Sequence, residues 1–176
     1  MVSVLFVDVR GFTALAERLS PADIADRLNK FYALASGAVF SRDGTVDKLV
    51  GDQVMAFFGA PIHHQDHARR AVETALEIVR GVMAEEEGLQ VGGGVATGEA
   101  FVGNVGGGGV TDYTVLGDTV NVAARLQGAA AAGEILLTQE TYAAVAEQFP
   151  DVGKRELELK GKSAAVTARV IRASKS

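Results

Sequence analysis

Apolar positions along the chain recur with two different periods, and the change from one to the other marks out the elements. Val2–Val9 is rich in β-branched residues and ends at Arg10-Gly11, which predicts a buried strand followed by a sharp turn. A short helix is expected over Thr13–Leu19. Ser20-Pro21 then sets a cap residue before a proline at the first helical position. Ile24, Leu28, Phe31, Tyr32 and Ala35 follow at helical spacing, so a second helix runs to about Phe40. Val46–Val50 and Val54–Phe58 are two short apolar runs split by Gly51-Asp52-Gln53, the pattern of a hairpin with Asp52 at its tip.

His64 to Glu87 carries Ala68, Ala71, Val72, Ala75, Leu76, Val79 and Val82 as one stripe, predicting a long amphipathic helix on a sheet, stopped at Gly88. Val91 to Val105 reads as strand with a break at Gly98-Glu99, and Gly106–Gly109 as a flexible turn. Asp118 is expected to cap a helix bearing Val120, Val122, Ala123 and Leu126. A strand at Glu134–Thr138, a helix at Gln139–Gln148 and strands at Arg155–Leu159 and Val166–Arg172 complete the pattern. The alternation predicts an α+β fold with an at least partly antiparallel sheet, helices on one face, and the other face left for function or a partner.

At 176 residues, 48% of them hydrophobic, the chain can bury one substantial core and is too short for two ordinary domains. No proline-rich or charged linker interrupts it, so residues 1–176 read as a single domain. A net charge of −5 with both signs mixed along the chain leaves no basic stripe for nucleic acid, which points to a small nucleotide if any. The absence of cysteine excludes a disulfide scaffold and a thiolate metal site and suits a reducing, cytoplasmic setting. Val2–Val9 is too short and too interrupted for a membrane span or a signal peptide, so no membrane contact is expected from this segment. A first strand one residue from the start suggests an excised domain whose regulatory segments lie upstream.

Asp8 closes an otherwise apolar strand, where a charge is costly unless a cation or a helix start compensates for it. Asp52, taken alone, is an ordinary turn residue. Together, a carboxylate at a strand end and another at an adjacent hairpin tip can share a pair of magnesium ions, which activate an attacking oxygen and neutralise phosphate charge. The Arg10-Gly11-Phe12-Thr13 turn into a helix offers backbone N–H groups to a terminal phosphate. His63, His64 and His67 open a polar helix start without an accompanying strand ligand, and read as solvated capping residues rather than a metal site.

Three segments carry a family resemblance: Phe6-Val7-Asp8-Val9-Arg10-Gly11-Phe12-Thr13, Lys48-Leu49-Val50-Gly51-Asp52, and Tyr113 to Leu126 with its Thr114, Gly117-Asp118, Asn121 and Arg125. In this order they resemble the class III adenylyl and guanylyl cyclases. The resemblance implies a ferredoxin-like core acting as a head-to-tail homodimer with shared active sites. It implies that Asp8, Asp52 and the Val9 carbonyl hold two Mg²⁺ or Mn²⁺ ions per site. Gly11, Phe12 and Thr13 would contact phosphate, Lys48 and Thr114 would read the purine, and Asn121 and Arg125 would orient the ribose and stabilise the transition state. Lys160, in Leu159-Lys160-Gly161-Lys162, would hold the terminal phosphates. Lys48, Thr114, Asn121, Arg125 and Lys160 would act on the metals of the other protomer.

Asn121 and Arg125, four apart on a helix, share a face on which an amide and a guanidinium can grip one ligand, although such a face is also ordinary solvated surface. Substrate choice follows hydrogen-bond polarity. The Lys48 ammonium donates to adenine N1 but opposes guanine N1–H, and Thr114 can accept from the adenine amino group while retaining the ability to donate. The expected activity is therefore adenylate cyclase, producing cyclic AMP from ATP. The alternatives are a guanylate cyclase or a nucleotide-binding or dimerising regulatory module without turnover. The threonine resembles a subclass linked to bicarbonate stimulation. Glu99 stands where some members place a phosphate-binding arginine, leaving Arg10 as the substitute candidate.

Overall fold

The computed structural model describes residues 1–85, 88–158 and 165–173. Its centre is β1 (Val2–Val9), whose alternate side chains are buried on opposite faces: Leu5, Val7 and Val9 in the larger core, Val4 and Phe6 in a second one. Alternation with both faces apolar is what a strand covered on two sides requires. After the one-turn α1 (Phe12–Ala16), α2 (Pro21–Phe40) starts where the Ser20 hydroxyl accepts from the Asp23 N–H at 3.1 Å and Pro21 takes the first helical position. β2 (Thr45–Val50) and β3 (Gln53–Phe58) form the expected hairpin around Gly51-Asp52, with Gly51 at φ 57°.

α3 (His67–Ala84) buries Ala71, Val72, Ala75, Ile78, Val79 and Val82 against β1 and β4 (Val91–Gly98). Here the unit β1-α2-β2-β3-α3-β4 closes with strand order β2-β3-β1-β4, every neighbouring pair antiparallel, which is the ferredoxin-like arrangement. Beyond it come the ribbon of β5 (Phe101–Gly107) and β6 (Val110–Leu116), α4 (Asp118–Ala129), β7 (Glu134–Leu137), α5 (Gln139–Ala143), β8 (Gly153–Leu157) and β9 (Val166–Arg172). The sheet extends to β2-β3-β1-β4-β7-β9-β8, with β4 and β7 parallel, so the fold is α+β with a mostly antiparallel sheet.

Several details differ from the sequence reading. The second sheet face is not left open: α4 packs on it, over β4 and β1. Two glycines of the Gly106–Gly109 run belong to β5, and the turn is confined to Gly108-Gly109. β6 went unread because its polar Thr111, Asp112 and Thr114 break the apolar alternation. β5 pairs only with β6 in a separate two-stranded sheet. Gly117 at φ 144°, not Asp118, occupies the cap position of α4, and Asp118 is its first helical residue. Regular α-helix after Thr138 ends at Ala143.

The contact that brings α4 down to the sheet is made by a missing side chain. A Cβ at Gly94 of β4 would lie 2.3 Å from the Gln127 amide nitrogen and 2.6 Å from the Ala123 carbonyl oxygen, both backbone atoms of α4. Gly94→Ala therefore forces the helix off the sheet, and a loss of about 1–3 kcal/mol in unfolding free energy is expected from such overpacking. Urea unfolding of the two proteins checks this, and a difference below about 0.5 kcal/mol contradicts it.

Candidate functional site

Asp8 is the penultimate residue of β1, paired in register with Gln53, and the Val9 N–H donates to the Asp52 carbonyl at 3.1 Å. The strand end and the hairpin tip are thus joined by backbone, with Asp8, Val9 and Asp52 brought together as the sequence implied. From α2 the Tyr32 hydroxyl donates to the Gly51 carbonyl and holds the tip from the other side. Burial pushes the Asp8 carboxyl above its ordinary value of 3.8; Arg10, 3.0 Å away, and the Gln127 amide pull it down, and the Asp52 charge pushes it up again. Asp8 Oδ1 is buried and, among the described residues, accepts no hydrogen bond beyond its ion pair with Arg10. A partly desolvated carboxylate beside a second carboxylate fits a divalent cation, whose charge relieves both burial and repulsion.

Arg10 is engaged within its own chain. Its guanidinium is folded onto Asp8 and donates to the Gln127 carbonyl of α4, packing against Gly92. Its backbone N–H donates to the Gln90 carbonyl at 2.6 Å, so the turn's remaining N–H groups are those of Gly11, Phe12 and Thr13 at the start of α1.

The second cluster lies between β2 and β6. The Thr114 hydroxyl donates to Asp47 Oδ2 at 2.6 Å, the Val115 N–H donates to the same oxygen at 3.2 Å, and Lys48 Nζ lies 3.1 Å from Asp47 Oδ1 and 3.8 Å from Asp112. Lys48 and Thr114 are thereby gathered as expected, 66 positions apart in sequence, by an aspartate that sequence reasoning passed over. Its one signal was the charge beside Lys48 inside a strand.

On α4, Asn121 is exposed and Arg125 partly so, and they share a face. That face is not turned toward Asp8. Gln127, 3% exposed, accepts from the Gln53 side chain at 3.2 Å and sits over Arg10. At about 100° per residue, Arg125 and Asn121 lie roughly 200° and 240° round the helix from it. Within one chain the acidic pair and the Asn121–Arg125 pair face away from each other. Gln127 was also missed; its signal was an amide interrupting the apolar stripe of α4. Lys160 lies outside the described residues. His67 departs from expectation: it is buried, its Nδ1 is 2.9 Å from the Ser3 hydroxyl, and burial lowers its pKa. His64 lies 3.0 Å from Asp43.

The sequence model of the adenylate and guanylate cyclase catalytic domain matches residues 1–171. This chain belongs to that family. Adenylate cyclase 1 of Rhizobium meliloti is 36% identical over 135 residues, 72% of this chain but 20% of that protein. An uncharacterised protein of Mycobacterium tuberculosis is 36% identical over 149 residues, 84% of this chain and 28% of its own length. The cyclase domain thus spans under a third of these relatives. Among solved structures, the adenylyl cyclase CyaB from P. aeruginosa superposes with TM-score 0.86 at 33% identity, covering 98% of this chain and 94% of that one. The guanylyl cyclase Cya2 gives TM-score 0.87 at 31% identity, with 98% and 92% covered. The catalytic core of a rhodopsin-guanylyl cyclase with converted specificity, in complex with ATPαS, gives 0.89 at 28%, with 98% and 95% covered.

The raised pKa of Asp8 makes this one carboxylate of the cyclase domain a stability liability. The contribution of the protonated carboxyl is fully present below pH 3.8 and is lost as the pH rises through the higher folded value, so at neutral pH the charge costs stability. Asp8→Asn should therefore melt higher than the unmodified domain at pH 7 in chelator, with the difference narrowing as the pH falls toward 4. Manganese should stabilise the unmodified domain but not the variant. Calorimetry reads both effects, and a variant that melts lower at pH 7 in chelator refutes the account.

Proposed function

We propose that this cyclase domain is an adenylate cyclase, converting ATP to 3′,5′-cyclic AMP and pyrophosphate. The observation that carries the choice of ATP is the Lys48 ammonium held beside the Thr114 hydroxyl, a donor next to an acceptor, which matches adenine N1 and its amino group. Mg²⁺ or Mn²⁺ held by Asp8, Asp52 and the Val9 carbonyl would supply Lewis acidity and neutralise phosphate charge. The ribose 3′-oxygen attacks the α-phosphorus, the bond to the β-phosphate oxygen breaks, and the hydroxyl proton passes to solvent. Asn121 orients the ribose, and Arg125 stabilises the charge developing on the α-phosphate. Gly11, Phe12 and Thr13 supply N–H groups to the phosphates, with Lys160 assigned there by family resemblance.

The opposed faces of α4 support an active site built by two copies, the carboxylates from one and the Lys48, Thr114, Asn121 and Arg125 group from its partner. Phe101, Val105, Val110, Tyr113 and Leu116 of the β5–β6 ribbon, together with Leu49 and Val50, are exposed apolar residues suited to that contact. The guanylyl cyclases among the structural neighbours keep GTP as a second reading. No helix among the described residues is long and apolar enough to cross a membrane.

Arg125→Ala should lower kcat about a hundredfold or more with little change in KM, and Asp52→Ala should abolish metal-dependent turnover. Mixing the two variants should restore activity, because each heterodimer retains one site with both its carboxylates and its arginine. Cyclic nucleotide from ATP and from GTP is measured for each protein. Failure of properly mixed heterodimers to recover activity, or an Arg125→Ala protein with normal kcat, removes the two-copy site, and faster use of GTP removes the assignment to ATP.

A further inference from the structure

A threonine hydroxyl carries one proton and two lone pairs, so by itself it serves a purine with an amino group at position six and a purine with a carbonyl there almost equally. The surroundings of Thr114 remove that ambiguity. β2 is bulged: its register against β3 passes from Val46↔Ala56 directly to Lys48↔Met55, leaving Asp47 as the extra residue. In a regular strand Asp47 and Lys48 would point to opposite faces. Across the bulge both reach toward β6, Asp47 to Thr114 and Val115, Lys48 to Asp112. The Asp47 side chain is 1% exposed, and the Lys48 ammonium 3.1 Å away balances its charge.

We infer that Asp47 fixes the hydrogen-bond polarity of the purine pocket. Its carboxylate takes the Thr114 hydroxyl proton and the Val115 N–H, leaving Thr114 Oγ1 only able to accept, which selects a purine bearing a six-amino group. This rests on the reading of Lys48 and Thr114 as the base contacts. The physical reason is that a carboxylate accepts and does not donate, so the proton of the 2.6 Å bond belongs to Thr114. The Val115 N–H, the backbone donor next along the chain from Thr114, is spent on the same oxygen. A six-carbonyl purine therefore brings an acceptor to an acceptor, and an unpaired contact of that kind is what gives a pocket its discrimination. Asp47 itself touches no substrate atom in this account. It is a positioning residue acting through Thr114.

The test measures kcat/KM for ATP and GTP with manganese, at protein concentrations high enough to assemble the active species, for the full chain and for Asp47→Asn, Asp47→Ala, Thr114→Val and the Asp47→Ala/Thr114→Val pair. Releasing the hydroxyl should lower the ATP:GTP ratio about tenfold or more in Asp47→Ala and by less in Asp47→Asn, whose amide oxygen can still accept the hydroxyl proton, while in the Thr114→Val background Asp47→Ala should leave the ratio where Thr114→Val alone put it. A purely structural role for Asp47 lowers both nucleotides together and preserves the ratio, and that result overturns the inference. Should the Asp47 variants fail to fold, purine riboside triphosphate, which lacks the six-amino group, replaces them. The unmodified chain should use it at least about tenfold less well than ATP and Thr114→Val should not distinguish the two, whereas equal use by the unmodified chain overturns the inference. An unmodified chain that turns over neither nucleotide, or prefers GTP, overturns the proposed function and this inference together. An ATP preference that survives both Asp47 variants overturns only the inference.

Discussion

A charge held at the end of a fully covered strand is the constraint around which the rest of this domain is arranged. β1 is buried on both faces by the two cores, and that burial stabilises the sheet by removing Leu5, Val7, Val4 and Phe6 from water. The same burial raises the free energy of the Asp8 carboxylate, and the backbone bond between Val9 and Asp52 brings a second carboxylate beside it. Arg10 is the counter-charge at hand, its guanidinium 3.0 Å from the Asp8 carboxylate. The domain keeps two carboxylates side by side here at a cost in stability, a familiar relation between site chemistry and fold stability.

The position of α4 follows from the same sheet. Gly94 on β4 gives the helix room to lie close, and Gln127 and Arg10, the latter lying against Gly92, fill the space between helix and strand end. With the buried side of α4 committed to Ala123, Leu126 and Gln127, Asn121 and Arg125 must face outward. The proposed two-copy site follows from this helix packing, which turns Asn121 and Arg125 away from their own chain's carboxylates.

Much of this was legible in the chain. The β1 strand, the β2–β3 hairpin with its Gly51-Asp52 tip, and the α3 stripe are local patterns in which periodicity and turn chemistry agree, and they stand where the sequence put them. β6 gives no strand signal because it pairs only with β5 and most of its residues, on both faces, lie in solvent, so it has no apolar alternation to read. The sequence alone reads His67 as a solvated cap because its partner, Ser3, is 64 positions away. The Asp118 cap failed because glycine at φ 144° had already made the turn.

Sequence by itself determined the family, the α+β order of elements, and which residue types were available to bind metal, phosphate and base, since these depend on local pattern and on motifs in order. Tertiary structure alone decided how those residues act on one another. Only the packed sheet shows that Asp8 is half-buried beside Asp52, that Arg10 is spent on it, and that a bulge turns Asp47 onto Thr114 and Lys48. The reason is physical: burial, charge proximity and the direction of a hydroxyl proton are properties of residues far apart in the chain, and no single segment carries them.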